Sequence, residues 1–145
     1  MPFERNLFHH VYPFRVRSFH VDRQNVVHNV WYFFFLEEAR VEYLRSVGFP
    51  IDDASFVGRD KFLVAHNACS YHTPALFDDA LVIRTRVARV GNTSLSFEHI
   101  IEHAETGRII AEATHVLVHV DAATERPAPL SENLRKCIEK YERGE

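Results

Sequence analysis

The sequence predicts an α+β domain in which a five-stranded antiparallel sheet curls around one long helix. Residues 31–36 read WYFFFL and are apolar on every face of the helix that contains them, so this helix requires burial all round. The rest of the chain consists mainly of alternating segments between turn residues, which is typical of strands. With 145 residues, 46% of them hydrophobic, residues 1–145 are expected to form one domain with a single core.

The predicted elements begin with a strand over 8–19, rich in aromatic and β-branched residues. The central helix is predicted over 29–47, with Asn29 as its N-cap. Gly48 follows the helix and Pro50 comes two residues later, a pattern that ends helices.

Four longer strands are predicted over 61–71, 80–90, 93–103 and 108–120, in meander order. Gly91-Asn92 and the turn 105–107 separate neighbouring strands. In 93–103, apolar and polar residues alternate, which predicts a sheet with one covered face, and that face should meet the helix. A short, charged helix is predicted over 130–142.

Asp22 lies in a turn just ahead of the central helix, close to where the first helical N–H groups have no partner. Such N–H groups can polarise a carbonyl oxygen, and a carboxylate beside them suits acyl chemistry. An acid before a helix is more often a turn residue or a cap. Taken alone, therefore, Asp22 is compatible with a structural role or with several acyl chemistries.

The residues around Asp22 resemble a motif of the hot-dog-fold acyl-CoA thioesterases, in particular the 4-hydroxybenzoyl-CoA thioesterase family. The family pattern runs D-x-x-G-x-V-x-N/H-x-x-Y and continues into an acidic, Arg-containing helix. In this sequence the matching positions are Asp22, Val27, Asn29, Tyr32 and residues 37–40. Residues 71–79 are similar to the family's Y-x-x-P-A-x-x-x-D turn, and residues 91–94 to its G-x-x-S hairpin.

Two positions depart from the family pattern. Asn25 replaces the turn glycine, and asparagine is the residue after glycine that best tolerates positive φ, so the turn is expected to survive. Phe34 stands where many relatives carry a polar or basic residue, which predicts deeper burial or a more apolar pocket.

The resemblance implies hydrolysis of acyl-CoA thioesters without a metal or other cofactor. Asp22 would attack the carbonyl or act as general base toward water, and the sequence leaves both routes open. The expected residues of the helix N-terminus that stabilise the oxyanion are His28, Asn29 and Val30. The expected substrate-binding residues are Val27, Tyr32, Tyr71 and Pro74.

Coenzyme A phosphates are candidates for contact with Arg84, Arg86, Arg89 and Ser94, because guanidinium groups bind phosphate through charge-assisted hydrogen bonds. Strand alternation puts Arg84 and Arg86 on one face and Arg89 on the other. A solvated sheet face is the simpler interpretation of these arginines.

Three other functions use the same type of fold. An acyl carrier protein thioesterase would need the same catalytic groups and a surface for the carrier. A catalytically silent acyl-binding protein is disfavoured because Asp22 is present. A dehydratase or hydratase is less favoured because the H-F-P type of helix context is absent.

The ten histidines and two cysteines do not predict a metal site. The pairs His99/His103 and His115/His119 fall in predicted strands, where positions four apart are separated by about 13 Å, too far for one ion. Structural or surface roles are favoured for these histidines. Cys69 and Cys137 lack metal-ligand spacing and are expected to be reduced thiols.

Charge and hydropathy favour a cytoplasmic protein that binds neither nucleic acid nor membrane. The formal net charge is −3, which gives no basic surface for phosphate polymers. The longest apolar run, 30–36, is far shorter than the about 20 residues of a membrane span, and residues 1–10 have no apolar signal region. The family resemblance implies a homodimer with a continuous ten-stranded sheet, or a homotetramer of two such dimers.

Overall fold

A computed structural model describes residues 3–49, 51–52 and 61–145. The strands are β1 (His10–Arg15), β2 (Phe62–Tyr71), β3 (Ala80–Val90), β4 (Ser94–His103) and β5 (Ile109–His119), and the helices are α1 (Asn29–Ser46) and α2 (Glu132–Glu142). Short 3₁₀ turns cover Arg5–Leu7 and Ser18–His20. The observed β1 is therefore shorter than the predicted strand over 8–19, because the chain turns at Ser18–His20 before it reaches Asp22.

The five strands form one antiparallel sheet in the order β1-β3-β4-β5-β2. The meander prediction is confirmed for β3, β4 and β5, but it is wrong for β2. This strand pairs with β5 at the far edge of the sheet and does not pair with β3. Both β1 and β2 are therefore edge strands.

Helix α1 packs against the inner face of the sheet with one side. Tyr32, Leu36, Ala39 and Tyr43 recur at three- and four-residue intervals and are all buried, as a helix packed on a sheet requires. The expectation of burial all round is wrong for the single chain, since the side chain of Phe34 is 53% exposed.

The exposed flank of α1 lies beside β2. Val30 on the helix is 47% exposed, and Leu63 and Val64 on the strand are 45% and 48% exposed. Nearly every residue of β2 is exposed or half-buried. The core is thus covered where α1 packs on the middle of the sheet, and it is open to solvent between α1 and the edge strand β2.

Helix α2 is confirmed near the predicted position, and it closes one end of the core. The Ser131 side chain caps it by accepting a hydrogen bond from Leu134 N–H at 3.1 Å. Leu134 and Ile138 are buried in the same cluster as Tyr43. At the end of α2, the Glu142 carboxylate accepts hydrogen bonds from Tyr43 Oη and, at 3.0 Å, from Val87 N–H.

A β-bulge lies between Val87 and Arg89 and changes the face of the second residue. The register shifts there, so that Val87 is opposite Phe97 whereas Arg89 is opposite Ser96. Phe97 is buried on the inner face, and Ser96 belongs to the outer face. The expectation that Arg89 lies on the opposite face from Arg84 and Arg86 is therefore wrong, because the extra residue restores it to their face.

In the described part of the chain, no helix is long and apolar enough to cross a membrane.

Candidate active site

Asp22 lies in a tight turn between two short bridging segments. Val21 pairs with Val27, Asp22 N–H donates to Val26 O at 3.0 Å, and Asn25 N–H donates to Asp22 O at 3.0 Å. The Asp22 Oδ1 atom accepts hydrogen bonds from Gln24 N–H at 2.8 Å and Val26 N–H at 3.4 Å. Among the described residues, no group donates to Oδ2, so one carboxylate oxygen of this exposed residue is available to a substrate or water.

Asn25 has a φ of 64°, in the left-handed region. This confirms the prediction that asparagine takes over the positive φ of a turn glycine at this position. The turn around Asp22 is thus retained without glycine.

The start of α1 is capped by His28, and the prediction of Asn29 as the N-cap is wrong. The His28 Nδ1 atom accepts a hydrogen bond from Val30 N–H at 3.3 Å, and His28 O accepts one from Trp31 N–H at 3.0 Å. Asn29 is the first helical residue. Among the described residues, nothing accepts a hydrogen bond from Asn29 N–H, so this donor is free at the helix N-terminus.

The Val21–Val27 bridge brings the turn and the helix start together. Bridged residues in antiparallel pairs have Cα atoms about 5 Å apart. Asp22 is one residue from this bridge, and Asn29 is two residues beyond it. The turn that carries Asp22 and the start of α1 are therefore held to each other by this bridge.

Beside this region is a cavity of about 260 Å³, here called the entry pocket. Its walls include most of the predicted substrate-binding and helix-terminus residues. They are Val26, Val27, Asn29, Tyr32, Tyr71, His72, Thr73 and Pro74. The structure thus brings Val27 and Tyr32 together with Tyr71 and Pro74, which lie 39 to 47 positions away in the sequence.

Two tyrosines form the aromatic wall of the entry pocket. Their rings meet edge to face with centroids 5.2 Å apart, and Tyr32 Oη accepts a hydrogen bond from Ala75 N–H at 3.3 Å. Burial raises the pKa of Tyr32, and burial together with Cys69 raises the pKa of Tyr71 to about 12. Both hydroxyls are therefore neutral near pH 7.

His20 packs against the first turns of α1 and contacts the residue before the helix. Its ring packs edge to face on Phe35 and tilted against Trp31, and its Nδ1 accepts a hydrogen bond from Arg17 N–H at 2.9 Å. Its backbone carbonyl accepts a hydrogen bond from His28 N–H at 3.0 Å. Burial lowers the pKa of His20, which favours the neutral form of its ring. The hydrogen bond to the His20 carbonyl holds His28, the residue before the helix, in place.

The arginines predicted for coenzyme A lie on the outer face of the sheet, away from α1. Arg84 pairs with Glu102 at 2.9 Å and Arg86 pairs with Glu98 at 2.8 Å. In the described part of the chain, Arg89 has no carboxylate partner. Within one chain, none of these side chains lines the entry pocket.

Ser94 holds the hairpin that follows β3. Gly91 N–H donates to Ser94 O at 2.8 Å, and a Cβ atom added to Gly91 would lie 2.8 Å from Ser94 Oγ. Ser94 is thus placed to shape this turn, at the end of the sheet where Arg89 is also found.

Two histidines for which the sequence favours structural or surface roles are buried next to each other on neighbouring strands. His99 and His115 are joined across β4 and β5 by a hydrogen bond of 2.9 Å. Strand alternation could have indicated this, because His99 has the same parity as Leu95 and Phe97, whose side chains face inward. Over the described ranges, no group of three or more His, Cys, Asp or Glu side chains is placed to hold a metal ion.

Residues 16–138 match the model of the family described as "Thioesterase-like superfamily". The sequence is 33% identical over 123 residues to the acyl-CoA thioester hydrolase YbgC of Escherichia coli O6:H1, covering 85% of this chain and 90% of the relative. It is 29% identical over 126 residues to the long-chain acyl-CoA thioesterase FadM of Escherichia coli K12, covering 86% and 93%.

The fold is similar to that of a thioesterase from Thermus thermophilus whose crystal structure contains coenzyme A and zinc. The TM-score is 0.77 at 29% identity, with 91% of this chain and 93% of that chain covered. The family match spans the Asp22 turn, α1 and all strands from β2 to β5. The chain therefore belongs to the thioesterase-like superfamily, and it is a thioesterase with the hot-dog fold that the resemblance of its motifs implies.

Proposed function

We propose that this protein hydrolyses acyl-CoA thioesters to free acids and coenzyme A, with Asp22 as the reacting carboxylate. The observation that carries the proposal is the Asp22 turn, which the Val21–Val27 bridge joins to the start of α1. Among the described residues, Asp22 Oδ2 has no donor and Asn29 N–H, which lines the entry pocket, has no acceptor. The names of YbgC and FadM support acyl-CoA as the substrate class. The Thermus structure with bound coenzyme A supports the same class.

In the proposed reaction, the thioester carbonyl oxygen accepts a hydrogen bond from Asn29 N–H at the start of α1. The dipole of the helix adds to this stabilisation as negative charge develops on the oxygen. Val30 N–H becomes a second donor when the His28 ring releases it. The hydrogen bond that breaks is long, at 3.3 Å, and therefore weak. His28, Asn29 and Val30 thus act together at the helix N-terminus.

Asp22 acts on the carbonyl carbon in one of two ways. In one route it attacks directly, the C–S bond breaks, coenzyme A leaves as a thiolate that takes up a proton, and water hydrolyses the resulting anhydride. In the other route it removes a proton from the water that attacks the carbonyl carbon, and the C–S bond then breaks to release coenzyme A. Both routes require the ionised carboxylate. Val27, Tyr32, Tyr71 and Pro74 form the wall that positions the acyl group near it.

The proposal is tested by the substitution Asp22→Asn, which preserves size and removes the charge. Hydrolysis of acyl-CoA should fall by roughly two to four orders of magnitude, while the folded state is retained. Turnover is measured by release of the free thiol, and folding by circular dichroism. Arg23→Gln, at the next exposed position of the same turn, is the matched control and should keep its activity.

Wild-type turnover in a folded Asp22→Asn protein would show that the carboxylate is only a turn residue. Matched substrates on coenzyme A and on acyl carrier protein, measured side by side, test the choice of carrier. A preference for the carrier protein would replace coenzyme A in the proposal and leave the role of Asp22 unchanged.

For coenzyme A, we propose contacts from Arg84, Arg86, Arg89 and Ser94, with Arg89 as the leading residue. Arg84 and Arg86 already have carboxylate partners, so a phosphate would have to displace these. Because the outer sheet face of one chain does not reach its own entry pocket, these contacts require the arginines of a neighbouring subunit.

We further propose a homodimer that forms through β2, with two such dimers able to form a homotetramer. This strand is a sheet edge, it is exposed along most of its length, and an apolar edge is a site for pairing with another strand. A second copy would extend the sheet to ten strands and cover the exposed Val30, Phe34 and Val64. Light scattering at micromolar concentration should give twice or four times the chain mass of 16.9 kDa, and a mass near 16.9 kDa would contradict the proposal.

A further inference from the structure

A second cavity, here called the β1 groove, lies between the edge strand β1 and the first turns of α1. Its volume is about 450 Å³, within the range of about 300–1,000 Å³ that is typical of small-molecule sites. Its walls combine aromatic rings with charged groups, and none of them belongs to the entry pocket. They include Tyr12 and Phe14 on β1, Arg17 and His20 in the following turn, and Trp31 and Glu38 on α1.

The β1 groove stays open in the dimer proposed above. The strand order β1-β3-β4-β5-β2 places β1 and β2 at opposite edges of the sheet. No residue of β2 or β5 lines the groove. A second copy that pairs through β2 therefore leaves this cavity accessible to a ligand.

Aromatic rings form much of the groove wall. Among the less exposed rings, Phe14 packs on Phe35 with centroids 4.5 Å apart. Phe19 is 66% exposed, and its ring meets that of Trp31 edge to face at 5.7 Å between centroids. Offset and edge-to-face contacts between aromatic rings are favourable, so these walls suit a flat aromatic ligand.

His20 offers a hydrogen-bond donor to the groove. Its Nδ1 atom accepts a hydrogen bond from Arg17 N–H, so the proton of the neutral ring is on Nε2. Among the described residues, no group accepts a hydrogen bond from this Nε2. In the same part of the chain, the fully buried ring nitrogens without a partner are those of His10 and His115, whereas His20 Nε2 retains accessible surface.

The charges along the groove favour an anion with a single negative charge. Arg17 is exposed, and its guanidinium has no acceptor among the described residues, whereas Arg15 donates to the Asp78 carbonyl at 2.7 Å. Glu38 raises the pKa of His20 and Arg17 lowers it, both less than burial does, so both charges lie near the ring. A guanidinium binds a carboxylate through two parallel hydrogen bonds, while the charge of Glu38 opposes a dianion such as phosphate.

We propose that the β1 groove binds a small aromatic carboxylate, whose ring packs against Phe19 and Trp31 and whose carboxylate accepts hydrogen bonds from Arg17 and His20 Nε2. An aliphatic acid would lack the ring contacts. An uncharged aromatic molecule would leave the guanidinium of Arg17 without an acceptor. The inference is independent of the reaction at Asp22, because binding at the groove requires no thioester.

The test uses 2-naphthoate as the probe, with binding measured by ligand-observed NMR titration. Its Kd should be about 0.1–1 mM, as expected for a ligand of this size. Two comparison ligands separate the parts of the site: 2-naphthamide keeps the rings without the charge, and hexanoate keeps the charge without the rings. Each should bind about tenfold more weakly than 2-naphthoate, or weaker still.

Arg17→Gln should weaken the binding of 2-naphthoate about tenfold and leave that of 2-naphthamide unchanged, since only the carboxylate uses the guanidinium. The exposed position of Arg17 makes a folding defect an unlikely cause of this selective loss. Arg108→Gln is the matched control, because Arg108 is an exposed arginine outside the groove. The control should retain the wild-type affinity for 2-naphthoate.

Equal affinities for 2-naphthoate and 2-naphthamide would overturn the inference. It would also be overturned if Arg17→Gln had no effect or weakened both ligands equally. Displacement of bound 2-naphthoate by coenzyme A would place the anion at the proposed active site and contradict a separate groove. Because no outcome depends on turnover of an acyl-CoA, failure of this inference is distinguishable from failure of the proposed function.

Discussion

At the scale of single residues, the Asn25 turn determines the position of Asp22. Its φ of 64° suits glycine and asparagine, but it is strained for a residue branched at Cβ. We therefore expect Asn25→Gly to be folded and active. Asn25→Val should lose about 1–3 kcal/mol of the free energy of unfolding or a large part of the activity. Urea denaturation and thioester turnover measure the two effects.

Asp78, which also has positive φ at 69°, provides a comparison outside the Asp22 turn. Asp78→Gly should preserve both stability and turnover. If Asn25→Gly and Asn25→Val behaved alike, the backbone at Asn25 would be unstrained and the alignment of this turn with the family motif would lose its support.

The helix cap gives a second prediction at this scale. His28→Ala removes the acceptor of Val30 N–H and should cost about 1 kcal/mol of stability, as the loss of an N-cap does. Asn29→Ala should cost much less, because Asn29 is already helical and its side chain forms no capping bond. Equal losses measured by thermal denaturation would contradict the cap seen in the structure.

The sequence could predict the turn and not the cap for a physical reason. Positive φ restricts residue type strongly, so an asparagine at a glycine position is informative. Both His28 and Asn29 carry side-chain acceptors at the correct distance from the helix, and the choice between them depends on where the backbone enters the helix. That entry is set by the hydrogen bond from His28 N–H to His20 O, which local patterns do not reveal.

At the scale of elements, β2 is the strand whose environment differs most from the others. It contributes Val64 to an apolar surface shared with Phe34 on α1. Replacing both by lysine should shift the assembly toward single chains, because charged side chains on a sheet edge oppose pairing. Sedimentation velocity of Val64→Lys/Phe34→Lys should show a smaller mass than wild type at equal concentration.

Leu7→Lys is the matched control for this experiment, since Leu7 is 41% exposed and lies outside the α1 flank and β2. The control should retain the wild-type mass. An unchanged mass of the double variant would mean that the copies meet elsewhere on the molecule.

The position of β2 in the sheet could not be predicted from the order of the strands. Its length and composition indicate a strand, but its partner β5 is far away in sequence, and alternation does not specify which strands pair. The β-bulge between Val87 and Arg89 could not be predicted either. One extra residue reverses the parity of Arg89, while the composition of β3 gives no sign of it.

At the scale of the whole molecule, buried neutral histidines make stability depend on pH. Burial lowers the pKa of His10, His99 and His115. A lowered pKa in the folded state means that the unfolded chain binds more protons below about pH 6.5. Stability is therefore fully present above about pH 6.5, and it is lost as the pH falls toward about 3, the folded pKa of His115.

The expected slope is about 1.4 kcal/mol per pH unit for each histidine that takes up a proton on unfolding. Urea denaturation at a series of pH values and at fixed protein concentration measures it. A free energy of unfolding that stays constant from about pH 7 to about pH 5 would show that the buried rings do not titrate on unfolding.

The sequence predicted the helix at the centre of the fold, the antiparallel sheet and the residues of the entry pocket, because these depend on hydropathy patterns and on a local motif. The hydrogen bond between His99 and His115 could not be predicted, because it forms only once the register of β4 on β5 places the two rings beside each other.

Trp31 is the only tryptophan of the chain, and its place beside the helix start gives the protein a built-in optical probe. Its ring lies 4.8 Å from the ring of His20 and 5.7 Å from the exposed ring of Phe19, measured between centroids. Its emission therefore reports on the first turn of α1, without contributions from a second indole elsewhere. Stopped-flow fluorescence can consequently follow events at the helix N-terminus without a label.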